Sequence, residues 1–188
     1  MKSIVIFASA SGTNTENIIR HFANCPKAGV TAVFCNKPEA GVISRAEKCG
    51  VPVVMFNKEN CLNEGFLDKE LIEYRPDVIV LAGFLWLFPE RLVKKFHNHI
   101  LNIHPALLPK YGGKGMYGDN IHRAVLQNGD KIHGVTIHKV NEKYDEGEIV
   151  MQESFPVALN ETLDSLTDKI HQLEFTLYPK AISRILGI

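Results

Sequence analysis

The chain has 188 residues, a length that suits one domain with a sizeable core, and its 21 basic and 21 acidic residues cancel to a formal net charge of zero. That balance gives no indication of a broad nucleic-acid footprint or a polybasic membrane patch, so the charge of any ligand must be met locally. The four cysteines, Cys25, Cys35, Cys49 and Cys61, lack CxxC spacing and read as core or surface thiols of a reducing compartment.

Ser3–Ala8 is a continuous apolar run of strand length, as expected of a central parallel strand covered on both faces. It is too short for a signal-peptide core or a membrane span, which predicts a cytoplasmic protein. The small-residue loop Ser9–Asn14 follows, then a helical stripe of Ile18, Ile19 and Phe22. Thr31–Cys35 predicts a second strand, Ser44–Cys49 a short helix closed by Gly50, and Val51–Phe56 a third strand. A helix is expected over about 64–73 and a buried strand over Val78–Ala82. Strands alternating with helices predict βαβ units and a parallel sheet.

The second half reads differently. In Leu101-Asn102-Ile103-His104-Pro105, alternation puts Asn102 and His104 on one face, and Pro105 stops the strand. A glycine-rich loop, Gly112–Gly118, leads to a helix capped by Asp119 or Asn120 and carrying Ile121, Val125 and Leu126. Gly134–Val140 and Glu148–Phe155 predict two strands whose short connection suits antiparallel pairing. Leu163, Leu166, Ile170, Leu173 and Leu177 mark a long helix, expected to bend or break at Pro179. The fold class is therefore α/β: a Rossmann-like, mostly parallel sheet flanked by helices, with an antiparallel strand pair toward the C-terminus.

Three groups of residues carry candidate chemistry. Asn102 and His104 at a strand end offer an amide donor beside a titratable ring, able to stabilise an oxyanion and move a proton. The Ser9–Asn14 loop opens a helix whose amides can hold an anion, with Gly12 allowing close approach and Thr13 and Asn14 adding donors. Thr13 and Glu16 also fit a capping box. Only one glycine of a dinucleotide fingerprint is present, and no P-loop lysine. Gly147 lets the Tyr144–Gly147 turn fold back so that Asp145 can reach the imidazole. His171 and Glu174, three apart, share a helix face away from the leucine stripe. The histidines lack the spacing and carboxylates of a catalytic metal site.

Together these features resemble the folate-dependent formyltransferases over nearly the whole chain. Asn102-Ile103-His104-Pro105 is similar to the family's Asn-x-His-Pro core, and Asp145-Glu146-Gly147 to its Asp-x-Gly signature. Branches acting on tRNA, sugar nucleotides or water share both signatures. Ser11-Gly12-Thr13-Asn14, and Glu174 ahead of Tyr178-Pro179, are instead similar to the branch whose acceptor is glycinamide ribonucleotide. The resemblance implies one formyltransferase-fold domain over 1–188. It implies transfer of the formyl group of 10-formyltetrahydrofolate to the amine of 5'-phosphoribosylglycinamide in purine synthesis, with no metal. Asn102, protonated His104 and Asp145 would be catalytic. Gly12, Thr13, Asn14, His171 and Glu174 would bind the ribonucleotide, and Leu85, Trp86, Leu87, Phe88, Val140, Asn141 and Tyr144 the folate. Nucleic acid and membrane would play no part, and the enzyme would be a monomer or homodimer. Trp86 stands where the family often has arginine, and His171 where it often has glutamine.

Overall fold

The computed structural model describes residues 1–188. β1 (Lys2–Ala8) splits its side chains between two cores. Ile4, Ile6 and Ala8 join one apolar cluster, while Val5 and Phe7 join another on the opposite face. This is the two-face burial that a continuous apolar strand predicts. Beyond α1 (Thr13–Phe22) lie β2 (Ala28–Cys35), α2 (Gly41–Lys48) and β3 (Val53–Met55). Then come α3 (Lys58–Leu62), α4 (Phe66–Tyr74), β4 (Val78–Leu81), α5 (Glu90–Lys95) and β5 (Ile100–His104). The chain closes with α6 (Asp119–Gln127), β6 (Ile132–Lys139), β7 (Ile149–Pro156) and α7 (Leu163–Leu186).

Seven strands form one sheet in the order β3-β2-β1-β4-β5-β6-β7. β1 to β5 pair in parallel, and β6 and β7 join antiparallel, as expected. Two helices departed from the sequence reading. α3 is capped reciprocally by Asn57 and Asn60, a pairing outside the usual Ser/Thr-to-Glu signature. α5 starts after Pro89 and is only six residues long, too short for a clear stripe.

α7 is one helix through Pro179, so the break expected there does not occur. Proline has no N–H to give the carbonyl of Phe175, four residues earlier. The Asn17 side-chain amide donates to that carbonyl instead, at 2.9 Å, which also ties α1 to α7. One turn away, the buried Tyr178 hydroxyl lies 2.9 Å from the carbonyl of Leu81 and 3.1 Å from that of Leu101. α7 is thereby pinned to the last residue of β4 and to the amino half of β5.

Candidate active site

β1 and β4 are neighbours, yet the chain leaves β1 toward one sheet edge and β4 toward the other. Ligands of open α/β sheets sit at the carboxyl ends of strands beside such a reversal. A cavity of about 740 Å³ opens there. Gly12, Thr13 and Asn14 line it from the β1–α1 turn, and Leu85, Trp86, Leu87 and Phe88 from the segment after β4. Asn102 and His104 line it from β5, Val140, Tyr144 and Asp145 from the β6–β7 connection, and His171 and Glu174 from α7. Of the residues expected at the site, Asn141 alone lies off it. Its side chain accepts from the Lys143 amide at 3.0 Å and so shapes the turn instead.

Asn102, His104 and Asp145 meet. Asp145 Oδ1 is 3.5 Å from His104 Nδ1 and 3.4 Å from Asn102 Nδ2, while the Gly113 amide donates to Asp145 Oδ2 at 3.0 Å. Gly147 permits the fold-back: a Cβ there would collide with the carbonyl oxygen of Lys139. Burial pushes the Asp145 carboxyl up, but neighbouring His138, His104 and the Gly113 amide together hold it below its ordinary value. It is a carboxylate at neutral pH.

His104 differs from expectation. Its Nε2–H donates to the carbonyl of Tyr111 at 2.8 Å, so both ring nitrogens face acceptors. Those acceptors favour the imidazolium, yet burial outweighs them and His104 falls below the ordinary histidine value. At neutral pH His104 is therefore held toward the neutral form, whereas the sequence predicts the charged ring from Asp145. The proton sits on Nε2, because Tyr111 is a hydrogen bond away and Asp145 Oδ1 is not.

His138 went unassigned in the sequence. It is buried, lines the cavity, and places Nε2 at 3.1 Å from Asn102 Nδ2 and 3.6 Å from Asp145 Oδ1. Its Nδ1 contacts the carbonyl of Lys139 at 2.8 Å, which leaves Nε2 to accept from Asn102. The register pairs Asn102 with His138 and His104 with Thr136, so an antiparallel pairing assumed beforehand would have revealed it. The loop residues Lys114, Met116 and Tyr117 also line the cavity.

The β1–α1 turn is built differently from a capping box. Gly12 takes φ 83 and caps α1 with no side-chain bond. Glu16 turns outward to Arg20 and Arg45. The first-turn amides are thus not closed by a side chain, as an anion site requires. A Cβ on Gly12 would stand 2.5 Å from Val42 Cα, so its bareness serves the packing of α2 as well. Asn14 commits its amide to Glu174 at 2.8 Å, and its own Oδ1 is buried without a partner. Glu174 is 6% exposed, and with Asn14 as its one bonded partner burial raises it to about 7. Such a carboxylate lacks donors, and hydroxyl groups of a ligand would supply them. His171 stacks on Phe175 at the exposed rim.

The opposite lining is aromatic. Phe84 and Trp86 stand edge-on at 6.3 Å, and Trp86 meets Phe56 at 6.1 Å. Phe88 packs on Phe7 at 5.0 Å and is mainly core, whereas Leu85 and Leu87 are exposed at the mouth. No cluster of three or more His, Cys, Asp or Glu side chains could hold a metal, and no helix is long and apolar enough to cross a membrane.

An amide, an imidazole and a carboxylate gathered in one cavity of an α/β sheet suit an enzyme that stabilises an oxyanion and moves a proton, as acyl transfer requires. The chain belongs to the formyl transferase family, whose model matches residues 2–182. It is 38% identical over 98% of its length to the chloroplastic phosphoribosylglycinamide formyltransferase of Arabidopsis thaliana, spanning 65% of that protein. It is 32% identical over its whole length to the phosphoribosylglycinamide formyltransferase of Bacillus subtilis, of which it covers 96%. The crystal structure of phosphoribosylglycinamide formyltransferase from Anaplasma phagocytophilum superposes with a TM-score of 0.89 at 31% identity, covering 99% of this chain and 87% of that one.

Proposed function

We propose that this chain, as one domain, transfers the formyl group of 10-formyltetrahydrofolate to the amine of 5'-phosphoribosylglycinamide in de novo purine synthesis. It acts in the cytoplasm on two small molecules, without a metal, nucleic acid or membrane, as a monomer or homodimer. The observation that carries this reading is the meeting of Asn102, His104 and Asp145 in one cavity with an open helix N-terminus and a donor-poor buried carboxylate. The amides after Gly12, with Thr13, hold the acceptor's phosphate. Glu174, aided by His171 and positioned by Asn14, accepts from the ribose hydroxyls. The apolar lining from Leu85 to Phe88, with Val140 and Tyr144, takes the folate ring system.

The acceptor amine attacks the formyl carbon, forming a C–N bond and a tetrahedral oxyanion. The Asn102 N–H that points at Asp145 spans a long 3.4 Å, so turning it onto the oxyanion sacrifices little. The attacking nitrogen must then lose a proton. Asp145, a carboxylate at neutral pH, takes it directly or through water, and His104 Nδ1 beside it shares it. Negative charge on the substrate raises the proton affinity of the ring and offsets the burial that keeps it neutral at rest. The pair returns the proton to the folate nitrogen as its bond to the formyl carbon breaks. Holding both substrates together supplies much of the remaining acceleration.

The test mixes the protein with 10-formyltetrahydrofolate and follows tetrahydrofolate, with and without 5'-phosphoribosylglycinamide. Product that appears only with the acceptor is the expected result. Equal release without acceptor would assign a hydrolase, and none in either case would overturn the reading.

A further inference from the structure

The two members of the His104–Asp145 pair are held by one short stretch of backbone. The Tyr111 carbonyl accepts from His104 Nε2 at 2.8 Å, and the Gly113 amide donates to Asp145 Oδ2 at 3.0 Å. Tyr111 sits at φ 60, a left-handed conformation that side chains disfavour. A residue so placed persists only where its surroundings determine it. Here the surroundings are polar and distant from the cavity. The Tyr111 hydroxyl donates to Asp130 Oδ2 at 2.8 Å and accepts from Asn128 Nδ2 at 2.8 Å. Lys110 Nζ reaches both Asp130 oxygens, at 2.7 and 2.6 Å. Asp130 follows α6, and its own amide is bonded to the Val125 carbonyl at 3.2 Å.

We propose that Tyr111 and Asp130 are positioning residues that act through the Tyr111 carbonyl to keep the His104 proton on Nε2 and leave Nδ1 open toward Asp145. Neither touches the cavity's reacting groups with its side chain. The device works because a carbonyl cannot follow a substrate, whereas a carboxylate at 3.5 Å can exchange protons with the ring. Loosening the anchor lets the Tyr111 backbone relax toward negative φ, which withdraws the carbonyl. The neutral ring then turns its proton to Nδ1, where Asp145 accepts it, and the proton-accepting nitrogen is lost from the pair. Burial by itself already keeps His104 below its ordinary value, and removal of the carbonyl acts in the same direction.

The test compares wild type with Tyr111→Phe, Asp130→Ala and Asp130→Asn in the full chain, using ¹⁵N NMR of the imidazoles together with steady-state kinetics. Wild type should show His104 protonated on Nε2. Tyr111→Phe and Asp130→Ala should move that proton to Nδ1 and shift the His104 titration to lower pH. kcat should fall by about 10- to 100-fold, the scale of a small misplacement of a reacting group, with both KM values little changed. Asp130→Asn, which keeps an oxygen for the Tyr111 hydroxyl, should recover much of the loss. An unchanged tautomer, titration and kcat in Tyr111→Phe would overturn the proposal, even if its melting temperature drops. Should Asp130→Ala fail to fold, Tyr111→Phe decides, because it removes a single oxygen. The kinetic arm rests on the proposed formyl transfer and the NMR arm does not. A tautomer change in a protein without that activity would sink only the functional reading.

Discussion

Glu174→Gln removes the most unusual ionisation at the cavity. Glu174 rises from an ordinary 4.5 to about 7 because burial opposes its charge and Asn14 offers it a single donor. The unfolded chain would release this proton near 4.5, so between those values the unfolded state is the less protonated one. The contribution of Glu174 is then fully present below about 4.5 and is lost as pH rises through about 7. At about 1.4 kcal/mol per tenfold, the separation amounts to roughly 3 kcal/mol. Urea unfolding of wild type and Glu174→Gln, measured from pH 4.5 to 8, isolates this part because other groups cancel in the difference. The variant should gain roughly 3 kcal/mol on wild type across that range, whatever its stability at the acid end. Acceptor binding supplies the missing donors. At pH 6 it should release nearly one proton more from wild type than from the variant, read from buffer-dependent calorimetry. A constant stability difference across pH, with no such difference in proton release, would refute the account of Glu174 as a carboxylate awaiting hydroxyls.

Asn102→Ala should lower kcat by about 10²- to 10³-fold, the usual effect of deleting one oxyanion donor. The double variant His104→Ala/Asp145→Asn should lose far less than the product of its single losses, because the two share one proton; multiplicative losses in kcat would show that they act separately. Trp86→Ala should weaken folate binding about 10-fold in fluorescence titration while acceptor binding stays unchanged, since the indole lines the cavity but also packs edge-on against Phe56 and Phe84. Unaltered folate affinity would leave Trp86 a packing residue alone. His133 is 2% exposed, 3.2 Å from His122, and held down to about 4, chiefly by burial and then by His122. A histidine lowered in the folded state stabilises above the unfolded value of about 6.5 and loses that contribution as pH falls toward 4. His133→Leu should therefore flatten the acid limb of the urea stability curve by up to about 3 kcal/mol, and a limb of unchanged steepness would count against it.

Local and periodic features are legible in the sequence alone. Apolar runs separated β1 and β4 from the amphipathic α1 and α6, because side-chain period follows from backbone geometry alone. Alternation and Pro105 placed Asn102 and His104 together at a strand end, and Gly147 marked the fold-back that brings up Asp145. Tertiary structure decided whatever depends on partners distant in the chain. α7 runs through Pro179 because Asn17, far away in sequence, satisfies the orphaned Phe175 carbonyl. The capping box fails because Gly12 rather than Thr13 takes the N-cap, and Glu16 pairs with Arg20 and, across to another helix, with Arg45. His138 joins Asn102 only through the β5–β6 register. The resting charge of His104 depends on tertiary structure for the same reason. Its neighbour Asp145 was legible as a motif, but burial and the Tyr111 carbonyl are properties of the packed molecule, and the cost of removing an ion from water is not written in any local pattern.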